Sequence, residues 1–171
     1  MKTLTLIRHA KSTHSLPGLA DIDRPLNERG EAAATLMGAR LREANFDFDA
    51  VFCSRARRAQ QTAAGIFCDD WAKRVEIAPR LYTFEETDLY RFIELLEPTL
   101  NSVVIVGHNP ATTMLINDLC RSNIANVPTC GIAQIALEIE NWFDVAPGTG
   151  KLINYDFPKR LIEEGRINNE G

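Results

Sequence analysis

Apolar and polar residues change period along this chain in a regular order. Thr3 to Ile7 is short, apolar and partly β-branched, which predicts a buried strand. A polar loop rich in Ser, Pro, Gly and Asp follows, from Ser12 to Pro25. Asn27 then offers an N-cap, Leu26 sits where a hydrophobic staple would, and Ala33, Leu36, Met37, Leu41 and Ala44 recur at helical spacing. Phe48–Cys53 predicts a second strand ending at Ser54, and Arg57 to Phe67 a second helix. Val75–Ala78 predicts a short strand, after which Leu89, Phe92, Ile93 and Leu96 mark an amphipathic helix. Ser102–Val106 (SVVIV) is the clearest buried strand. It runs into Gly107-His108-Asn109-Pro110, where proline suits a first helical position and Leu115 and Leu119 continue the helix. The last third turns to period two, with Ala133, Ile135, Leu137 and Ile139, then Ile153, Tyr155 and Phe157. Ala146-Pro147-Gly148-Thr149-Gly150 supplies the turn between them.

This order predicts an α/β protein: a three-layer α/β/α sandwich around a mostly parallel central sheet, with the last two strands paired at one edge. No internal repeat or linker interrupts it, so residues 1–171 read as one domain. Three predicted strands end in polar groups, namely Arg8-His9, Ser54 with the arginines behind it, and His108. Ligands of open α/β sheets sit outside the carboxyl ends of the strands, so these groups are expected to meet.

The composition, 45% hydrophobic and 25% charged, is that of an ordinary globular protein. A net charge of −4 argues against bulk nucleic-acid binding or attraction to an anionic membrane. No run approaches the roughly 20 apolar residues of a membrane span. The stretch before Arg8 is too short for a secretory signal. Cys53, Cys68, Cys120 and Cys130 lack metal-ligand spacing and read as small buried hydrophobes, reduced in a cytoplasmic setting. His9, His14 and His108 form no HExxH-type pattern and there is no GxxxxGK[ST] loop, so neither a metal nor a cofactor is expected. His14 reads as a solvent-exposed loop residue.

Two arginines and two histidines at one sheet edge, Arg8, His9, Arg58 and His108, ask for an anion, because gathered positive charge without a partner costs energy. A dianionic phosphoryl group answers that need. Arginine's planar fork binds its oxygens bidentately, and helix N-termini add backbone donors. Arg55 and Arg57 read as a solvated helix start or as contacts for a second acidic group on a substrate.

Leu6-Ile7-Arg8-His9-Ala10 resembles the RHG signature of the histidine phosphatase superfamily, with Ala10 in place of the usual glycine. That change matters only if the position needs a positive φ. Ser54-x-x-x-Arg58-Ala59-x-x-Thr62 resembles the second motif of the family and Gly107-His108-Asn109 the third. Arg24-Pro25-Leu26-Asn27-x-x-Gly30 resembles the segment after the first loop. Small size and the RHAKS and RPLNERG stretches are most similar to the SixA-type phosphohistidine phosphatases. The resemblance implies a phosphoglycerate-mutase-like fold, with His9 as nucleophile and Arg8, Arg58 and His108 holding the phosphoryl oxygens. Arg24 would be a further phosphate contact, and a protonated His108 would titrate differently from His9.

Many members of the family protonate the leaving oxygen with a carboxylic acid, and by chain order the candidates are Glu85 and Glu86. Thr83-x-x-Glu86 also reads as a capping box, and Glu85 as a charge favoured by the same helix end. A weak acid signal favours a phosphoramidate, whose imidazole leaves once its own nitrogen is protonated. The expected activity is metal-independent hydrolysis of phosphohistidine on a protein, or of a small phosphate monoester. The rivals are a mutase-like phosphoryl transferase and a non-catalytic phospho-ligand binding module. Mutase relatives carry longer insertions, for which Phe67 to Leu89 leaves little room.

Overall fold

A computed structural model describes residues 1–72 and 74–160; the single-domain expectation extends over 161–171, which lie outside the described residues. Among these, six strands form one sheet: β1 (Lys2–Arg8), β2 (Ala50–Cys53), β3 (Val75–Ile77), β4 (Ser102–Gly107), β5 (Ile132–Leu137) and β6 (Gly150–Asp156). Their order across the sheet is β3-β2-β4-β1-β5-β6. Pairing is parallel from β3 to β1, whereas β5 runs antiparallel to both β1 and β6. Parallel neighbours need crossovers, which include α1 (Glu28–Glu43), α2 (Arg57–Ala72) and α3 (Glu86–Glu94); α4 (Ala111–Cys120) leads from β4 toward β5.

The central strands feed two cores. Leu4, Leu6, Val103 and Ile105 pack with α3 and α4, while Ile7, Val51, Cys53, Val104 and Val106 pack with α1 and α2. Alternation is present in space but invisible in the sequence, because both faces are covered and both need apolar side chains. The fold is therefore the expected α/β/α sandwich, with a mixed sheet.

Local differences have physical causes. Asn27 caps α1, its Oδ1 accepting from the Gly30 amide at 2.9 Å. The buried face of α1 runs through Ala34, Met37, Gly38 and Leu41, while Leu36 is 43% exposed and Ala44 caps the end in solvent. Small residues face inward because α2 lies very close: a Cβ on Gly38 would stand 2.4 Å from the Ile66 carbonyl oxygen. A hydropathy pattern cannot tell that a glycine faces a neighbour. α2 is interrupted at Cys68, where φ is 54°. The capping box does not form; Thr83 Oγ1 accepts from the Glu85 amide at 3.2 Å and donates to Asp88 at 2.7 Å. Pro110 stands just before α4 rather than within it.

The edge strand departs from strict alternation. Gln134 pairs with Asn154 but Ile135 with Leu152, so Ile153 is an extra residue in a bulge. Leu152 and Tyr155 pack on the core and Ile153 points out, 55% exposed.

The α1–α2 contact is testable. Gly38→Ala gains about 1 kcal/mol of helix propensity. It also drives a methyl group into the Ile66 backbone, and overpacking of that kind costs about 1–3 kcal/mol. A lower urea midpoint is the expected net result.

Candidate active site

The register of the sheet sets the site. Arg8 lies opposite Gly107, and the His9 amide continues the ladder by donating to the Gly107 carbonyl at 3.0 Å. The next residue on each strand is a histidine, and the His9 and His108 rings end 5.3 Å apart between centroids. The Ser54 amide donates to the Val106 carbonyl at 3.0 Å, which brings the end of β2 alongside.

Thr62 fastens α2 to the end of β1. Its Oγ1 donates to the Arg58 carbonyl one turn earlier, at 2.7 Å, and accepts from the Ala10 amide at 2.9 Å. The Arg-Ala-x-x-Thr spacing therefore aims the Arg58 turn at His9. Ala10 is fully buried and is not among the positive-φ residues, so an alanine there carries no backbone strain. Gly30 is needed for contact instead: a Cβ there would lie 2.1 Å from the Lys11 carbonyl oxygen.

Arg58 is the hub, only 2% exposed. Its Nε donates to His9 Nε2 at 3.3 Å, and its terminal nitrogens donate to the Asp21 carbonyl at 2.7 Å and to Asp21 Oδ2 at 3.1 Å. One of them also lies 3.4 Å from His108 Nδ1. His9 Nδ1 is 2.7 Å from the Ala10 carbonyl oxygen, so that nitrogen carries the proton and Nε2 keeps a lone pair toward Arg58. His108 Nε2 lies 2.8 Å from Ser54 Oγ, and the arginine beside Nδ1 assigns the ring proton to Nε2.

Burial, then the charges of Arg58, Arg8 and Arg24, holds His9 down at about 4 against the pull of its backbone hydrogen bond to Ala10. Burial, then the neighbouring His9 and Arg58, holds His108 at about 3. Burial among cations thus holds both rings neutral, so the protonated His108 expected of the working site needs a counter-charge to form.

Arg8 Nη1 donates to the Val127 carbonyl at 2.7 Å, while its Nε is buried without a hydrogen-bond partner among the described residues. Asn109 of the third motif positions that carbonyl. Its Nδ2 donates to Val127 O at 3.1 Å, and its Oδ1 accepts from Thr113 Oγ1 at 2.9 Å.

Asp21, in a short 3-10 turn, was not singled out by sequence reasoning. Its Oδ1 accepts from Arg24 Nε at 3.0 Å, and its Oδ2 accepts from Arg58 and from the Tyr82 hydroxyl. Burial pushes the carboxyl up, but the Tyr82 and Arg58 hydrogen bonds and the Arg58 and Arg24 charges outweigh it and hold it at about 2. Its sequence signal was slight, an acid three residues before Arg24 in a polar loop.

The structure therefore brings Arg8, His9, Arg58 and His108 together and joins Arg24 to them through Asp21. Glu85 is exposed at the start of α3, with no hydrogen bond or ion pair from its carboxylate to the cluster. Above His108 stand two aromatic rings instead, Tyr82 and Phe84, each 5.5 Å from it. Arg55 lies 5.8 Å over the Tyr82 ring, and Arg55 and Arg57 line a shallow groove of about 510 Å³ with Ile22, Asp23, Gln60 and Gln61. His14 is exposed. All four cysteines are free; Cys53 and Cys130 are buried, but Cys68 is exposed, contrary to expectation, where the chain breaks out of α2. Among the described residues no group of three or more His, Cys, Asp or Glu could hold a metal ion, and no helix is long and apolar enough to cross a membrane.

Residues 4–89 match the profile of the histidine phosphatase superfamily (branch 1), and the chain belongs to that superfamily. It is 34% identical over 163 residues to the uncharacterised protein Rv1276c of Mycobacterium tuberculosis, covering 90% of this chain and 100% of that one. A proposed phosphohistidine phosphatase, SixA of Nakamurella multipartitia, superposes with a TM-score of 0.77 at 25% identity, over 92% of this chain and 96% of its own. The protein histidine phosphatase SixA solved with tungstate shares the fold with a TM-score of 0.77 at 22% identity, over 93% of this chain and 99% of its own. Family and neighbours together support a phosphatase.

The neutral histidines give a pH prediction. In the folded chain both rings stay unprotonated down to about pH 4, whereas unfolded histidine takes up a proton near 6.5. Below about pH 6.5 the unfolded chain binds more protons, so stability falls as pH drops from there toward 4. Urea midpoints at neutral pH and at about pH 5 check this; the double variant His9→Gln, His108→Gln is expected to lose less over the same interval.

Proposed function

We propose that this chain is a metal-independent phosphohistidine phosphatase that works through a covalent phosphohistidine on His9. The observation that carries the reading is the state of His9: a neutral ring, its Nδ1–H tied to the Ala10 carbonyl, presenting the Nε2 lone pair beside a buried arginine. A phosphoryl group held by Arg8, Arg58 and His108 meets that lone pair. His9 Nε2 forms the new bond to phosphorus, and the bond to the leaving nitrogen breaks, its electron pair staying with that nitrogen. Water then attacks phosphorus, the electron pair returns to Nε2, and the water proton passes to phosphate or solvent. Because Nδ1–H never leaves Ala10, His9 departs as neutral imidazole, ready for another cycle.

Arg8 Nε, buried and unpartnered, supplies a donor to a phosphoryl oxygen. A bound dianion reverses the cause that holds His108 neutral, so Nδ1 gains a proton and donates while Nε2–H stays with Ser54. Arg24 acts on the phosphoryl group mainly as a nearby charge, since its donors go to Asp21 and to the Thr13 carbonyl.

The substrate class follows from the acid. Asp21, the carboxylate touching the cluster, is ionised down to about pH 2 and cannot protonate an alkoxide at neutral pH. A phosphoramidate needs no such donor. The mouth is open, with the Asp21 side chain 45% and Phe84 43% exposed, which suits a phosphohistidine carried on a protein. A cytoplasmic setting fits the four free thiols, and one domain over 1–171 fits the unbroken pattern. Against a mutase, the described residues between α2 and α3 form a three-residue strand and a short 3-10 turn, which leaves little room for a segment that would enclose a substrate between two transfers.

His9→Ala is expected to lower phosphate release from a phosphohistidine peptide by at least about a thousandfold, roughly 4 kcal/mol in barrier, and to abolish an acid-labile phosphoenzyme. A non-catalytic binding module would show no turnover in the parent protein and unchanged affinity in the variant. Arg58→Ala is expected to cost about a hundredfold or more, since it removes donors aimed at the transferring group. Glu85→Gln leaves the rate within about twofold, because its carboxylate lies outside the cluster. A substrate panel of phosphohistidine peptide, phosphoramidate, sugar phosphates and nucleotides, read as phosphate release, tests the class.

A further inference from the structure

The mouth of the pocket carries two aromatic rings that a phosphoryl seat does not require. Tyr82 and Phe84 stand edge to face, 5.7 Å apart, and both lean on His108. Phe84 covers a wholly buried imidazole with one side and leaves 43% of its surface in solvent. An apolar ring kept half open at the edge of a cluster of charges gains little from burial there. Tyr82 donates to Asp21 Oδ2, and Arg55 already rests over the Tyr82 ring at 5.8 Å, a planar cation on an aromatic face. Asp21 Oδ2 accepts from Tyr82 and Arg58, whereas among the described residues Oδ1 accepts from Arg24 alone and keeps one acceptor position.

We propose that Asp21, Tyr82 and Phe84 form a seat for the leaving group, shaped for a planar heteroaromatic cation: the imidazolium ring of the substrate's phosphohistidine. The inference rests on the phosphohistidine reading and adds the residues that select the ring. A phosphohistidine ring carries phosphorus on one nitrogen and, in its reactive form, a proton on the other, which makes the ring cationic. When the P–N bond breaks, the electron pair stays on the nitrogen that held phosphorus, and the ring leaves as neutral imidazole without any further proton. If the second nitrogen has lost its proton first, the ring must leave as imidazolate, a far poorer leaving group. A carboxylate that accepts that N–H, and aromatic rings that favour the cation, both hold the ring in the reactive form. A simple alkyl leaving group gains neither contact, a sugar brings no cation to the rings, and a group bearing a second anion is repelled by Asp21.

The experiment compares two P–N substrates on the intact protein: a phosphohistidine peptide, and phosphoramidate, which has the same bond but no ring. Phe84→Ala is expected to lower the ratio of kcat/KM for peptide over phosphoramidate by about tenfold, chiefly through KM. Phe84→Trp, which keeps an aromatic face, restores most of the ratio. Asp21→Asn also disturbs Arg58 and slows both reactions, yet it too lowers the ratio. An unchanged ratio in Phe84→Ala, or equal restoration by Phe84→Leu, overturns the leaving-group seat while the phosphatase reading stands. A parent protein that hydrolyses phosphoramidate but not the peptide overturns the phosphohistidine reading together with the seat.

Discussion

The site depends on one buried guanidinium and what surrounds it. Arg58 is almost wholly removed from water, and a charge so placed costs several kcal/mol unless its donors are met. Its donors go to the backbone and carboxylate of Asp21 and to a nitrogen of His9, and it also touches His108. Those partners come from the loop after β1, from the end of β1 itself and from the end of β4. A single desolvated cation thus ties three separate segments to the start of α2. In the free chain the balancing charge is that of Asp21.

The same desolvation sets the chemistry. Removing His9 and His108 from water beside arginines disfavours their charged forms, so both rings are neutral. For His9 that state leaves Nε2 unprotonated, its lone pair turned to Arg58 Nε. For His108 it leaves Nδ1 without a proton beside the same guanidinium. One physical cause thus holds two identical side chains neutral, and the hydrogen bonds to Ala10 and Ser54 decide which nitrogen of each ring is available.

Much of the fold was legible because its central strands are covered on both faces and its helices carry ordinary caps and periodicity. SVVIV could hardly be anything but a buried strand, and Asn27 caps α1 as its side chain dictates. The misreadings fall where a neighbour sets the geometry. α1 turns Gly38 rather than Leu36 to its partner because α2 approaches closely. β6 carries a bulge because its register against β5 shifts by one residue. Cys68 is exposed because α2 breaks there.

By itself the sequence determined which polar groups share one edge of the sheet: Arg8 and His9 after the first strand, Arg58 one turn beyond Ser54, and His108 after the buried strand. It could do so because strand ends in a parallel sheet converge, whatever else surrounds them. Only the tertiary structure decided the protonation of the two rings, the place of Asp21 against Arg58 and the standing of Tyr82 and Phe84, rather than Glu85, beside His108. Those are properties of distance and burial between residues far apart in the chain. Glu85 and Phe84 are neighbours in sequence, yet one faces solvent and the other leans on His108, a difference that no pattern along the chain records.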